Sequence, residues 1–81
     1  MNLNDRIKKV MSFILSVDLS VINDGFSKDV TNRWDSLRHM NLILALEEEF
    51  GIVIPDEEAA HLTSYKLIQL VVSELISKNK P

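Results

Sequence analysis

Apolar residues fall at helical spacing over three stretches of the chain. Leu3, Ile7, Val10, Met11 and Ile14 recur at intervals of four, three, one and three, which predicts an amphipathic helix over about residues 3–15. Asn2 or Asn4 can cap it, and Asp5 suits the positive end of its dipole. From about Ser36 to Phe50, Leu37, Met40, Leu42, Ile43, Leu44 and Leu46 make a second helix apolar around most of its circumference. Such a helix is expected at the centre of a bundle, buried on several sides, with Gly51 as its stop. Ile68, Val71, Val72 and Leu75, joined by Leu67 and Ile76, predict a last helix capped by Thr63 or Ser64. Lys78 and Lys80 suit its C-terminal end, and residues 78–81 are expected to fray.

The connections are less regular. Val17, Leu19 and Val21 alternate with polar residues and Asn23-Asp24-Gly25 is a turn signal, but nothing beyond the turn alternates for long enough to pair as a hairpin. Residues 16–35 are therefore expected to form a long ordered loop pinned by Leu19, Ile22, Phe26, Val30 and Trp34. Loops of that length in compact domains are uncommon and usually functional. Ile52-Val53-Ile54-Pro55 reads as an extended connector, after which Asp56 would cap a short helix from Glu57 to about His61. The pattern as a whole predicts an all-α fold. It is a small four-helix bundle with three longer helices, one short helix and a long ordered loop between the first two, in a single domain spanning 1–81.

Composition narrows this further. The chain of 81 residues is 46% hydrophobic with only two glycines and two prolines, which favours a folded helical chain over disorder. With no cysteine, disulfides and thiolate metal sites are excluded, and a reducing cytoplasm fits. The longest apolar run, Leu42-Ile43-Leu44-Ala45-Leu46, is far short of the roughly 20 residues of a spanning helix. The N-terminus is polar from Asn2 onward and lacks the apolar stretch of a signal peptide. A cytoplasmic monomer with no membrane association is the expectation.

Charge is unevenly spread. Residues 35–58 hold seven carboxylates (Asp35, Glu47, Glu48, Glu49, Asp56, Glu57 and Glu58) against one cation, Arg38, a net −6; the overall charge of −3 leaves +3 for the rest. An acidic middle repels phosphate backbones, which argues against nucleic acid, and steers basic protein partners. Glu47, Glu48 and Glu49 also lie at the negative end of the second helix, a local cost that a docking role for those charges would explain as well as a solvated face does.

Catalytic chemistry has little to work with. Ser36 and His39 are three apart and share a helical face, but a hydrolase also needs an oriented base, an oxyanion hole and a cleft. Asp35, the one candidate orienter nearby, is better used as a helix cap, so no catalytic residue is assigned and His39 is expected on the surface or in a groove. No metal site is expected: His39 and His61 are 22 residues apart, consecutive glutamates diverge on a helix, and no calcium-loop or phosphate-loop pattern occurs. What remains is Trp34-Asp35-Ser36-Leu37, where the long loop ends and the central helix begins. Asp35 or Ser36 could simply cap the helix, but a phosphodiester on Ser36 would also lie beside free backbone N–H groups at the positive dipole end.

Asp35-Ser36-Leu37, then Leu44-Ala45-Leu46-Glu47-Glu48-Glu49-Phe50, then Ile52 and Ile54-Pro55-Asp56-Glu57-Glu58-Ala59, resembles the acyl carrier protein family in residues and in spacing. Leu62-Thr63-Ser64 resembles that family's approach to its last helix, and the similarity covers about residues 30–76. The resemblance implies 4'-phosphopantetheine on the Ser36 hydroxyl, placed by a phosphopantetheinyl transferase from coenzyme A with magnesium. The arm's thiol would hold an acyl or aminoacyl thioester. A loading ligase and acyltransferase or synthase enzymes would read the helix through basic docking surfaces. That role carries over to Asp35, Leu37, Arg38, Met40, Glu47 and Glu48, with Leu37 and Met40 as the apolar contacts. Two departures stand out. Many fatty-acid carriers have acids where this chain has Arg38 and Asn41, and glycine is common where Trp34 stands. A cation in the docking helix argues for a stand-alone carrier of a specialised lipid or metabolite pathway. An aminoacyl or peptidyl carrier, or an unmodified helical interaction module, are the alternatives.

Overall fold

A computed structural model describes residues 2–78, so the expected fraying beyond Lys78 and the role of Lys80 lie outside it. Among the described residues four α-helices follow one another: α1 (Leu3–Leu15), α2 (Ser36–Phe50), α3 (Asp56–Ala60) and α4 (Tyr65–Lys78). The caps explain most of the boundaries. Asn2 starts α1, its side chain accepting from the Asp5 N–H at 2.9 Å. At the other end Ser16 takes a left-handed conformation (φ 56°), supported by Ser12, whose hydroxyl donates to the Val17 carbonyl. Gly51 ends α2 at φ 64°, where a side chain would be strained, and donates to the Glu47 carbonyl. Ser64 rather than Thr63 caps α4, accepting from the Leu67 N–H at 3.1 Å.

The short helix differs from expectation by one residue. Asp56 is its first helical residue and Pro55 holds the cap position, with no side-chain cap. Pro55 is extended (φ −57°, ψ 145°) and its carbonyl accepts the first helical bond, from the Ala59 N–H at 2.9 Å, so the turn closes one residue earlier and Asp56, Glu57 and Glu58 all sit at its positive end.

The core is built from Ile7, Met11 and Leu15 of α1, Leu42, Ile43 and Leu46 of α2, and Tyr65, Ile68 and Val72 of α4. Ile22, Phe26 and Trp34 of the loop, Ile52 and Ile54 of the connector, and Leu62 complete it. Burial of each such aliphatic side chain stabilises the fold by about 1.5–3 kcal/mol relative to leaving it in water. The first loop is ordered by its own hydrogen bonds. Two short 3₁₀ turns (Leu19–Val21 and Lys28–Val30) are capped by the side chains of Asp18 and Ser27. The Lys28 N–H donates to the Thr63 carbonyl and the Tyr65 N–H to the Phe26 carbonyl, both at 3.0 Å, fastening the loop to the start of α4. Of its five expected pins, Ile22, Phe26 and Trp34 are buried, whereas Leu19 and Val30 are exposed. Leu19 and Val30 each lie in one of the 3₁₀ turns, neither of which has a buried residue.

The central helix also departs from expectation. It packs on α1 and α4, but Leu37, Met40 and Leu44 stay exposed. Among the described residues only the short α3 approaches that side of α2, across a groove that Met40 and Leu44 line, and these side chains remain largely exposed to solvent.

Candidate functional site

The end of the first loop and the first turn of α2 are shaped by Trp34, Asp35, Arg38 and His39. Asp35 is the cap, its Oδ1 accepting from the Arg38 N–H at 2.8 Å and its carbonyl from the His39 N–H at 2.8 Å. Ser36 is therefore the first helical residue, exposed, with its hydroxyl not needed for capping. Arg38 folds back over the loop: its Nη1 donates to the Arg33 carbonyl at 3.2 Å and lies 3.4 Å from Asp35 Oδ2. The one cation of the acidic middle thus sits beside Ser36 rather than along the length of the helix.

Behind Ser36 the loop is anchored by aromatic packing. Trp34 is buried and stacked on Phe26, with ring centroids 5.8 Å apart, and on the His39 ring at 6.2 Å. The Trp34 Nε1–H donates to His39 Nδ1 at 3.0 Å, and His39 Nε2 lies 2.8 Å from the Ala59 carbonyl. A carbonyl only accepts, so Nε2 carries the proton and Nδ1 the lone pair. Both ring nitrogens are engaged, and the imidazole has no free site to serve Ser36 as a base. His39, expected on the surface or in a groove, is half-buried and bridges the first loop and α3.

Leu37, Met40 and Leu44, spaced by three and four, form one exposed apolar stripe starting beside Ser36. Their exposures, 69%, 65% and 60%, leave each with more water contact than protein contact. Leu44 was missing from the sequence-derived site. Its helical spacing from Leu37 and Met40 could have signalled it, but the same residue fits a core position equally well.

The three glutamates that close α2 have different fates. Glu49 is held by Arg6 of α1, whose Nη2 is 2.9 Å from Glu49 Oε2 and also donates to the Glu49 carbonyl at 3.0 Å. Glu47 Oε2 accepts from the Ile54 N–H at 2.8 Å, so that carboxylate also holds the connector. Glu48 is exposed and has no ion-pair partner among the described residues. Part of the acidity expected for docking therefore serves the fold.

Between α2 and α3 lies a groove of about 350 Å³, lined by His39, Met40, Ile43, Leu44, Glu47, Ile54, Asp56, Ala59 and Ala60. Its walls are mostly apolar, with Asp56 and Glu47 as the carboxylates, and Met40 lies one helical turn from Ser36. Among the described residues no cluster of three metal-ligating side chains occurs, and no helix is long and apolar enough to cross a membrane.

Similarity to known proteins extends over nearly the whole chain. No family model matches the chain. An acyl carrier protein of Buchnera aphidicola is 38% identical over 81 residues, covering 98% of this chain and 96% of the relative. An acyl carrier protein of Thermosynechococcus vestitus is 40% identical over 76 residues, covering 91% and 88%. The solution structure of a holo acyl carrier protein from Geobacter metallireducens superposes with a TM-score of 0.83 at 26% identity, over 96% of this chain and 90% of that one.

Proposed function

This chain belongs to the acyl carrier protein family, and from that premise we propose that Ser36 is its point of attachment for a 4'-phosphopantetheine arm. The arm supplies a thiol on which an acyl group is carried as a thioester. The observation that carries the assignment is the exposed Ser36 at the first position of α2, its capping duty taken over by Asp35. A transferase can reach that hydroxyl, and a phosphodiester there gains from the positive end of the α2 dipole.

The chain's own residues present the cargo and do no chemistry. Members of the family interact with synthase and acyltransferase enzymes. Leu37, Met40 and Leu44 offer such enzymes an apolar stripe, with Asp35, Glu47 and Glu48 supplying charge complementary to a basic surface. Arg38 sets this surface apart: a partner presenting a base against the first turn meets a guanidinium there. The reading is a carrier of a specialised pathway, loaded by a dedicated ligase or acyltransferase and working as a cytoplasmic monomer. The α2–α3 groove, lined by Met40 one helical turn from Ser36, offers an apolar shelter to its acyl chain.

Intact mass tests the assignment. Incubation with a broad-specificity phosphopantetheinyl transferase, magnesium and coenzyme A should add the mass of one arm, and Ser36→Ala should abolish the gain. An unchanged mass beside an active control would instead leave an unmodified interaction module. Competitive loading by acyl and aminoacyl ligases separates the acyl carrier from an aminoacyl or peptidyl one.

A further inference from the structure

The short helix α3 contributes no fully buried residue; its half-buried Ala59 packs against the core, and the buried anchors lie on either side of it, at Ile54 and Leu62. Two side chains of α2 hold this strap. Glu47 Oε2 takes the Ile54 N–H at 2.8 Å at one end, and His39 Nε2 donates to the Ala59 carbonyl at 2.8 Å at the other. Both residues also line the groove between α2 and α3. The two latches differ in kind. Glu47 has a flexible stem, whereas the His39 ring is clamped: it stacks on buried Trp34, and the Trp34 N–H occupies Nδ1. With Nδ1 held as acceptor, the neutral ring can place its proton only on Nε2, aimed at α3.

We propose that His39 is a positioning residue for the cargo: Trp34 fixes its tautomer, and the resulting Nε2–H bond latches α3 over the groove and sets how often that groove opens. The cargo half of this inference rests on the carrier reading above; the latch itself does not. Because α3 touches the core only through half-buried Ala59, losing one latch bond should loosen the strap more than it loosens α1 and α4.

Three observations on the apo-protein test the latch. In wild type, long-range imidazole nitrogen spectra should show His39 as the Nε2–H tautomer. In His39→Leu, exchange of the Ala59, His61 and Leu62 amides with water should rise by about two- to tenfold more than that of the α1 amides of Met11 and Leu15, which report global unfolding. His39→Gln, whose amide can reach the same carbonyl, should restore part of the protection. Trp34→Phe, should His39→Leu fold poorly, removes the N–H that bonds to His39 rather than to α3; it should mix the tautomers and raise the same amides' exchange. A different tautomer in wild type, unchanged α3 exchange, or an equal rise in every helix overturns the latch.

The cargo half is read on the modified chain loaded with octanoyl or acetyl thioester and cleaved with hydroxylamine. The latch predicts faster cleavage of the octanoyl form in His39→Leu and no change for acetyl; equal rates in both variants overturn it. If wild type accepts no arm, the carrier reading fails while the exchange data still decide the latch.

Discussion

The indole N–H of Trp34 donates to Nδ1 of His39 across 3.0 Å, joining the last turn of the first loop to the first turn of α2. Trp34 is only 3% exposed, so water cannot replace this acceptor. His39→Leu should therefore lower stability by about 1–3 kcal/mol, the cost of a buried donor left without a partner. Denaturant unfolding followed by the fluorescence of Trp34, the single tryptophan, measures it directly.

Asp35 and Ser36 are neighbours with separable roles. Asp35→Ala removes the side chain that caps α2 and should cost about 1 kcal/mol, whereas Ser36→Ala should leave the unfolding midpoint unchanged. In mass spectrometry the order reverses: Ser36→Ala should accept no arm and Asp35→Ala should still accept one. A stability loss in Ser36→Ala equal to that in Asp35→Ala would mean the serine does structural work that the geometry does not show.

The exposed stripe should matter to partners and little to folding. Leu37→Asp, Met40→Asp and Leu44→Asp should each shift stability by no more than about 0.5 kcal/mol, because each side chain is already largely in water. Each should weaken use by an acyl-transferring partner, read as a raised KM for the carrier. If the Leu44 variant transfers normally while the other two do not, the docking stripe stops at Met40.

Arg38 offers a specificity test. Arg38→Glu places an acid where the guanidinium now lies against Asp35 and the Arg33 carbonyl. Use by fatty-acid enzymes should improve and use by the native partner should fall, with stability changed by less than about 1 kcal/mol since the pair is surface-exposed. Unaltered kinetics with both enzymes would remove Arg38 from the account of specificity.

Tyr65 is the single tyrosine and is buried at the start of α4. Burial, with lesser contributions from the Asp24 and Asp5 carboxylates, pushes its phenol above the ordinary value of 10.0. The unfolded chain releases that proton first, so the associated stability is fully present below about pH 10 and is lost as pH rises through the folded value. Ultraviolet titration should show phenolate forming later in the native protein than in denaturant. Coincident curves would show that the site does not shield the phenol.

The helices and the exposed helix start at Ser36 were legible in the sequence because they rest on local rules. The stripe from Leu3 to Ile14, the Asp35 cap and the Gly51 stop each act within a few residues, and the structure sets α1 and α2 at the expected bounds. The motif around Ser36 was readable for the same reason: its spacing is that of neighbouring turns. What the chain could not announce was which apolar residues would find partners. Leu44 and Leu46 have the same hydrophobicity, yet one is 60% exposed and the other fully buried. That difference arises only when α1 and α4, distant in sequence, pack on one side of α2 and leave the other open. Tertiary contacts likewise left Leu19 and Val30 exposed, drew Glu47 and Glu49 partly into the fold, and gave His39, expected on the surface or in a groove, a place in the α2–α3 groove and a bond to Ala59. Periodicity and capping are properties of adjacent residues, whereas burial and pairing depend on where the rest of the chain arrives.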